Sequence, residues 1–157
     1  MSIERDILEL QARVGLLETL AGGITSGTWT PVWEGTGTAG VYTYTNQIGV
    51  FTRVGNLVYI NARLTISAIG TPPVGNMRIG GLPYACEATY NHPVAFGFIS
   101  QFNYTAAALD LNGIVGAGIA YISLRETFDN AATVAAPAAN FTNTACDMIF
   151  SATYRTA

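Results

Sequence analysis

Residues 56–69 read NLVYINARLTISAI, and this stretch decides the fold of the chain. Apolar side chains stand at every second position from Val58 to Ile66, with mostly polar residues between them. Alternation with a period of two is typical of a β-strand that buries one face. The preceding GVFTRV (49–54) is a second strand candidate, and Gly55-Asn56 suits a two-residue hairpin turn. The stretch therefore predicts an antiparallel hairpin.

The remainder of the chain contains further short strand candidates separated by frequent turn signals. Turn signals such as Pro72-Pro73 and Asn112-Gly113 separate the candidates. Further strands are predicted at 29–33, 41–45, 76–80, 94–102, 106–111, 118–124 and 146–155. Short strands separated by turns every eight to twelve residues or so indicate a sandwich or a jelly roll. We therefore predict a mainly β domain over residues 25–157, an antiparallel β-sandwich or jelly-roll knob.

Residues 1–24 follow a helical period instead. Apolar residues recur at alternating spacings of four and three, which is the a/d seam of a left-handed coiled coil. The seam consists of Ile3, Ile7, Leu10, Val14, Leu17, Ala21 and Ile24. Gly22-Gly23 ends the helix. A helix of this length is marginal alone, so we predict self-association. The alternative is docking on its own domain, with Leu8, Leu16 and Leu20 widening the apolar face.

Composition excludes several classes of function. Half of the residues are hydrophobic and only 11% are charged, against roughly 25% in ordinary domains, so disorder is not expected. The seven basic residues are all Arg and are scattered, which argues against a nucleic-acid partner. No apolar run reaches the roughly 20 residues needed for membrane insertion. Residues 1–20 lack the apolar core of a signal peptide, so we expect no secretion signal.

The sequence offers no convincing cofactor or metal site. GTGTAG (35–40) matches the spacing of a dinucleotide-binding turn, but a strand-forming sequence follows it where a helix is needed. We expect a glycine loop between strands and no nucleotide cofactor. Cys86 and Cys146 are expected to be free thiols, with a disulfide as the alternative. A zinc site would need more ligands than these and His92, so no metal is expected.

Four segments together resemble a recurrent C-terminal β-domain of bacteriophage tail fibres, tailspikes and other virion appendages. They are GTWTPVWEGT (27–36), YTNQIGVFTRVGNLVYINARLTISAIG (44–70), GNMRIGGLPY (75–84) and DMIFSATYRTA (147–157). Domains of this family open on G-T-W-T-P, carry a hairpin and a G-L-P-Y/F segment, and close on a strand ending Y-R-T. The resemblance covers nearly all of residues 27–157 and follows the same order.

The resemblance implies a homotrimeric β-sandwich knob, exposed on a virion, that binds a host surface or completes an appendage. It also implies assembly in the host cytoplasm, with other virion proteins contacting the N-terminal helix. The partner expected at the host surface is a glycan or another receptor. Because only a helix precedes the knob in this sequence, a second role stays open. That role is a capsid or tail decoration protein, or a head fibre, that stabilises the virion.

Catalysis is not expected. Glu126 and Asp129 form the closest carboxylate pair of the β-domain, and both are predicted in a loop rather than in a glycosidase arrangement. A serine triad would need His92, which is predicted to be an exposed turn residue. Sugar binding needs aromatic faces with polar neighbours, so the candidate ligand contacts are Tyr90, Asn91, His92 and Tyr104. Trp29 and Trp33 are expected in the core or between subunits.

Overall fold

The computed structural model of the chain describes residues 2–157, and the side chains of residues 18–22 lie outside that description, including the predicted seam residue Ala21. One helix precedes ten strands and a 3-10 turn. The elements are α1 (Ile3–Gly22), β1 (Ile24–Trp29), β2 (Val32–Gly35), β3 (Val41–Val54), β4 (Leu57–Thr71), β5 (Met77–Gly80), β6 (His92–Ser100), β7 (Ala108–Val115), β8 (Ile122–Phe128), β9 (Val134–Ala135), the 3-10 turn (Ala138–Asn140) and β10 (Asp147–Arg155). The prediction of a mainly β chain with an N-terminal helix is confirmed.

The strands form one continuous antiparallel sheet in the order β1-β3-β4-β10-β6-β7-β8-β5-β2, with β9 beside β8. The two end strands, β1 and β2, follow each other along the chain and are joined only by Thr30 and Pro31. So short a connection requires the two edges of the sheet to approach each other, and the sheet is therefore curled. The predicted jelly-roll connectivity is not confirmed.

The core lies inside this curl. The inward positions of β4 from Val58 to Ile66 are buried, as the alternation predicts. Trp33 and Phe150 are among the largest buried side chains, and Trp29 packs edge-on against Phe150. Each large apolar side chain buried in this way contributes roughly 1.5–3 kcal/mol. Both tryptophans are therefore core residues, one of the two places predicted for them.

Several predicted boundaries were wrong for identifiable reasons. Pro31 lacks an N–H to donate to a ladder, and the single strand predicted at 29–33 is split there into β1 and β2. The predicted strands 41–45 and 49–54 are one strand, β3, whose pairing with β4 passes through register shifts. Asn112-Gly113, predicted as a turn, lies inside β7. Gly113 is required there because a Cβ would meet the Phe96 ring at 2.9 Å.

The register defines two ends of the knob. At the end that carries α1, Ile24 pairs with Val54, and the Gly55 N–H donates to the Gly23 carbonyl at 2.9 Å. Arg155 pairs with Leu57 at this end, which we call the proximal end. At the other end Asp147 pairs with Thr65 on β4 and with Ser100 on β6. We call it the distal end.

Candidate functional site

A cleft of about 390 Å³ opens in the sheet between β6 and β7. The two strands are paired only near the proximal end, where the last pair is Val94 and Gly113. Beyond that pair they separate, and the loop of residues 101–107 joins them again at the distal end. The residues lining the cleft are Val94, Phe96, Gly97, Phe98, Ile99, Tyr104, Asp110, Leu111 and Asn112. Its volume lies at the lower end of the roughly 300–1,000 Å³ of ligand sites.

Each strand that borders the cleft carries an extra residue. On β6, Phe98 pairs with Ile149 and Phe96 with Phe150, which leaves Gly97 without an opposite residue. On β7, Ala108 pairs with Phe128 and Asp110 with Thr127, which leaves Leu109 unmatched. An extra residue of this kind is a β-bulge, which bends its strand and re-aims the side chains that follow. The two bulges explain why β6 and β7 separate here.

The inner walls of the cleft are open strand edges. Over this stretch β6 is paired with β10 on its other side, and β7 is paired with β8. Alternate residues of a strand direct their N–H and C=O groups to opposite sides. Within the described part of the chain, no strand pairs with β6 or β7 across the cleft. The cleft therefore offers backbone hydrogen-bonding groups as well as side chains.

Tyr104 stands at the distal mouth of the cleft, on the loop of residues 101–107, and its side chain is 40% exposed. Four hydrogen bonds fix this loop. The Asn103 and Asn143 amides donate to Thr142 Oγ1 and Gln101 Oε1, at 2.8 and 2.7 Å. The Thr105 N–H donates to Glu126 Oε1 at 2.9 Å, and Asn140 Nδ2 donates to Thr105 Oγ1 at 2.8 Å. The Tyr104 ring also packs edge-on against Phe102.

The backbone of this loop is strained at both ends. Gln101 has φ 60° and Ala107 has φ 68°, in the left-handed region that non-glycine residues seldom adopt. Such residues cost of order 1–3 kcal/mol each and persist where the surroundings enforce them. The hydrogen bonds to the segment 140–143 and to Glu126 supply that enforcement. The loop thus holds Tyr104 in one place before any ligand arrives.

Glu126 is predicted in a loop from the sequence, and that prediction is wrong. It lies on β8 with its side chain fully buried, because β8 extends to Phe128. One carboxylate oxygen accepts from the Thr105 N–H, and the other has no hydrogen-bond partner in the described structure. No periodic signal marks this residue in the sequence. Its position indicates a support for the loop that carries Tyr104.

The polar groups of the cleft can donate and accept hydrogen bonds. Burial, reinforced by the nearby charge of Asp110, raises the pKa of Tyr104, so its phenol remains a protonated donor. Asp110 accepts from the Leu111 N–H through Oδ1 at 2.8 Å, and Asn112 donates to Thr127 Oγ1. The described structure shows no hydrogen bond to Asp110 Oδ2 or to Asn112 Oδ1. This arrangement suits the binding of a polar ligand.

The other three predicted ligand contacts lie at the proximal end, so Tyr104 is separated from them by the length of β6. Tyr90 is exposed, and Asn91 Oδ1 accepts from the Ala117 N–H at 3.0 Å. His92 is predicted to be exposed, but its side chain is only 17% exposed. Its Nε2 lies 3.5 Å from the Arg155 N and 3.6 Å from Glu87 Oε1. The C-terminal strand covers this imidazole.

The five predicted seam residues from Ile3 to Leu17 are not covered by the knob. Ile3, Leu10 and Leu17 are all exposed in the single chain, as are Ile7 and Val14. The main tertiary contacts of the helix are with β1, the strand that follows it. Ile24 is predicted as the last seam residue, but it lies in β1, because the glycines at 22 and 23 end the helix first.

The structure shows the surroundings of several other features singled out in the sequence. Cys86 and Cys146 are buried free thiols, and burial raises the pKa of both. GTGTAG (35–40) is followed by strand β3, as expected for a glycine loop. Among the residues whose side chains the structure describes, His, Cys, Asp and Glu form no cluster suited to a metal ion. In the same residues, no helix combines the length and apolarity required to cross a membrane.

Comparison with solved structures shows what the knob is similar to. The fold matches part of the crystal structure of the Dettilon tailspike protein (gp208), with a TM-score of 0.68 and 17% sequence identity. The match covers 84% of this chain and 24% of the tailspike chain, so this chain spans about a quarter of that protein's length. No protein-family model matches the sequence, and no curated protein matches it. This chain therefore shares its β fold with a portion of a phage tailspike.

Proposed function

We propose that this chain is a homotrimeric virion protein of a bacteriophage, in which three knobs attach the particle to the surface of the host cell. The single observation that carries the proposal is the pairing of an exposed apolar heptad seam on α1 with a knob that has a tailspike-like fold. Neither part alone indicates this function. A fold recurs among unrelated functions, and an apolar seam on its own indicates only association.

A second apolar surface supports self-association. Ile24, Val54 and Leu57 are neighbours in register on β1, β3 and β4, and all three are exposed on the outer face of the sheet. Val50 and Tyr59 extend this row on the same face. The row lies at the proximal end, directly beside the end of α1. Contact between three copies would cover this row and the helix seam together.

The remaining surface of α1 suits other virion proteins. Leu8 and Leu16 are exposed and occupy heptad positions b and c when Ile3 is placed at d. These positions face outward in a coiled coil, so two apolar side chains per helix would stay uncovered in the trimer. We assign them to a contact with the particle, which leaves the distal end of the knob facing the host.

Catalysis forms no part of the proposal. The buried Glu126 carboxylate is committed to the loop of residues 101–107, and Asp129 lies in the exposed turn after β8.

The rival role is a capsid or tail decoration protein that stabilises the virion. It shares the trimer but not the affinity for cells.

Two measurements on the full chain test the proposal. Light scattering on a size-exclusion column should give three times 16.6 kDa, or about 50 kDa. The fluorescently labelled protein should also bind cells of a susceptible bacterial strain and not a resistant mutant of that strain. A trimer that binds purified virions but no cells would favour the decoration role. A 16.6 kDa monomer would contradict both roles.

A further inference from the structure

We infer that the cleft between β6 and β7 is a carbohydrate-binding site, in which Tyr104 is the aromatic platform and Asp110 and Asn112 bind hydroxyl groups. The inference rests on the proposed attachment function and names the chemical class of its ligand. The lining places two exposed aromatic rings, those of Tyr104 and Phe98, beside a carboxylate and an amide.

This combination matches the surface of a sugar. A pyranose ring has apolar C–H faces and a rim of hydroxyl groups that both donate and accept hydrogen bonds. An aromatic ring covers an apolar face at low entropic cost. A carboxylate accepts strong hydrogen bonds from hydroxyls, and an amide accepts through its oxygen. The cleft supplies each of these groups and also the backbone edges of β6 and β7.

The polar atoms that would contact a sugar are available. Asp110 uses Oδ1 for the Leu111 N–H, and Asn112 uses its amide nitrogen for Thr127. Asp110 Oδ2 and Asn112 Oδ1 have no partner within the described residues. The Tyr104 phenol also makes no hydrogen bond there. A ligand could therefore replace solvent at three exposed groups without breaking a hydrogen bond within the folded chain.

The site is also rigid before binding. The loop that carries Tyr104 is held by Glu126 and by Thr142, and two of its residues adopt a strained backbone. Rigid placement reduces the entropy lost on binding. The role of the buried Glu126 is therefore to hold the loop that carries Tyr104 in place.

The shape of the cleft favours a compact ligand over an extended peptide. Open strand edges can bind a peptide as an added strand. Here the edges belong to one hairpin, paired at Val94 and Gly113 and joined by residues 101–107 at the other end. An added strand would have to thread through this closed opening. A short sugar segment can enter from the face of the sheet.

The position of the cleft suits attachment. It lies in the distal half of the knob, whereas Tyr90, Asn91 and His92 lie at the proximal end, the end that carries α1. A trimer seated on the virion through α1 would present the clefts to the host and turn the proximal residues toward the particle. Of the four predicted ligand contacts, Tyr104 is therefore the one we assign to the host glycan.

The test measures binding of the full-length protein to an array of purified bacterial O-antigens, capsules and cell-wall polysaccharides, and to whole cells of the strains that the protein recognises. Tyr104→Ala removes the platform, and Asp110→Asn removes the charge at nearly constant shape. Tyr90→Ala is the matched aromatic change at the proximal end, and Asp129→Asn is the matched change at an exposed turn. Circular dichroism melting confirms that each variant is folded.

We expect the unaltered protein to bind at least one polysaccharide. Tyr104→Ala and Asp110→Asn should each raise its Kd at least about tenfold. Tyr90→Ala and Asp129→Asn should change it by no more than about twofold. The assignment of the cleft is overturned if Tyr104→Ala and Asp110→Asn bind the polysaccharide as the unaltered protein does. It is also overturned if only Tyr90→Ala loses binding.

Cell binding separates this inference from the proposed function. If attachment survives periodate oxidation of the cell-surface sugars but is abolished by protease treatment, the receptor is a protein. In that case the attachment role stands and the carbohydrate site is wrong. The carbohydrate site is also wrong if the protein binds cells but no polysaccharide on the array. If it binds neither, the attachment role fails as well.

Discussion

Replacing Leu10 by Asp should dissociate the assembly. Leu10 is a d position of the seam and is 60% exposed in the single chain. Full burial of a leucine side chain is worth roughly 1.5–3 kcal/mol, so covering the exposed part contributes about 1–2 kcal/mol per chain. Over three chains, the loss is about 3–5 kcal/mol before electrostatics are counted.

The charge adds to this loss. Three carboxylates would meet in one layer of the coiled coil, where desolvation costs several kcal/mol for each buried ion. Because 1.4 kcal/mol is a factor of ten in an equilibrium constant, the apolar loss alone weakens assembly by at least about a hundredfold. At micromolar protein, we expect the variant to elute as a monomer.

Leu8→Asp is the matched control. It introduces the same residue into the same helix, with the same intrinsic helix propensity cost of about half a kcal/mol. Leu8 is 65% exposed but occupies a b position, outside the seam. Light scattering should therefore report the mass of the unaltered protein for Leu8→Asp. If Leu10→Asp retains that mass, or if both variants dissociate equally, the heptad reasoning is refuted.

Three further predictions concern the knob. Glu126→Ala should lower the free energy of unfolding by about 1–3 kcal/mol in urea titrations, because it leaves the partly buried Thr105 N–H without its acceptor, whereas Glu126→Gln should cost less. A hydrogen bond from Arg63 lowers the pKa of Asp147 in the folded protein. The stability that the ionised Asp147 contributes is therefore complete above about pH 4, the pKa of an aspartate in the unfolded chain. This stability is lost as the pH falls through the lower pKa of the folded state. The destabilisation by Asp147→Asn should accordingly shrink in unfolding curves measured below pH 4, and a constant difference would contradict this linkage. Burial raises the pKa of Cys146 to about 12, so native protein at pH 8 should not react with iodoacetamide at this residue, and rapid native alkylation found by peptide mapping would show that the thiol is accessible.

The sequence is informative where periodicity follows directly from burial. The alternation around Ile60 predicts β4 because one face of that strand packs into the core. The heptad spacing predicts α1, and Gly22-Gly23 predicts its end. These are local signals, since each depends on residues a few positions apart. They establish the element types but not the order of strands in the sheet.

The candidate cleft has no comparable signal. The bulges at Gly97 and Leu109 are defined only by the strands opposite them, β10 and β8, which lie far along the chain. Glu126 is predicted in a loop until β8 is known to extend to Phe128. The composition around Tyr104 predicts a ligand contact, but Asp110 is predicted within the strand 106–111 and Asn112 in a turn, with nothing to place either beside Tyr104. Only the tertiary pairing brings the three together.

In the proposed trimer, the helix and the cleft would act together through multivalency. A shallow sugar site on one knob binds weakly, but the three sites of one trimer can bind a polysaccharide with repeated sugar units at the same time. Linking sites raises the overall affinity by roughly 10²–10⁴ without any new contact. A trimer of weak sites would therefore adhere firmly to a polysaccharide surface, while each site releases a free sugar readily.

The contributions of the helix and of the cleft can be measured separately. Leu10→Asp leaves the cleft intact, so the dissociated variant should bind a short free oligosaccharide with the same Kd as the unaltered protein. Its retention on a polysaccharide-coated sensor should fall by roughly 10²-fold or more, because only one site engages at a time. Tyr104→Ala should show the opposite pattern, with weak binding to the free oligosaccharide and an unchanged trimer mass. A dissociated Leu10→Asp protein that still adheres as firmly as the trimer would show that attachment does not depend on three clefts acting together.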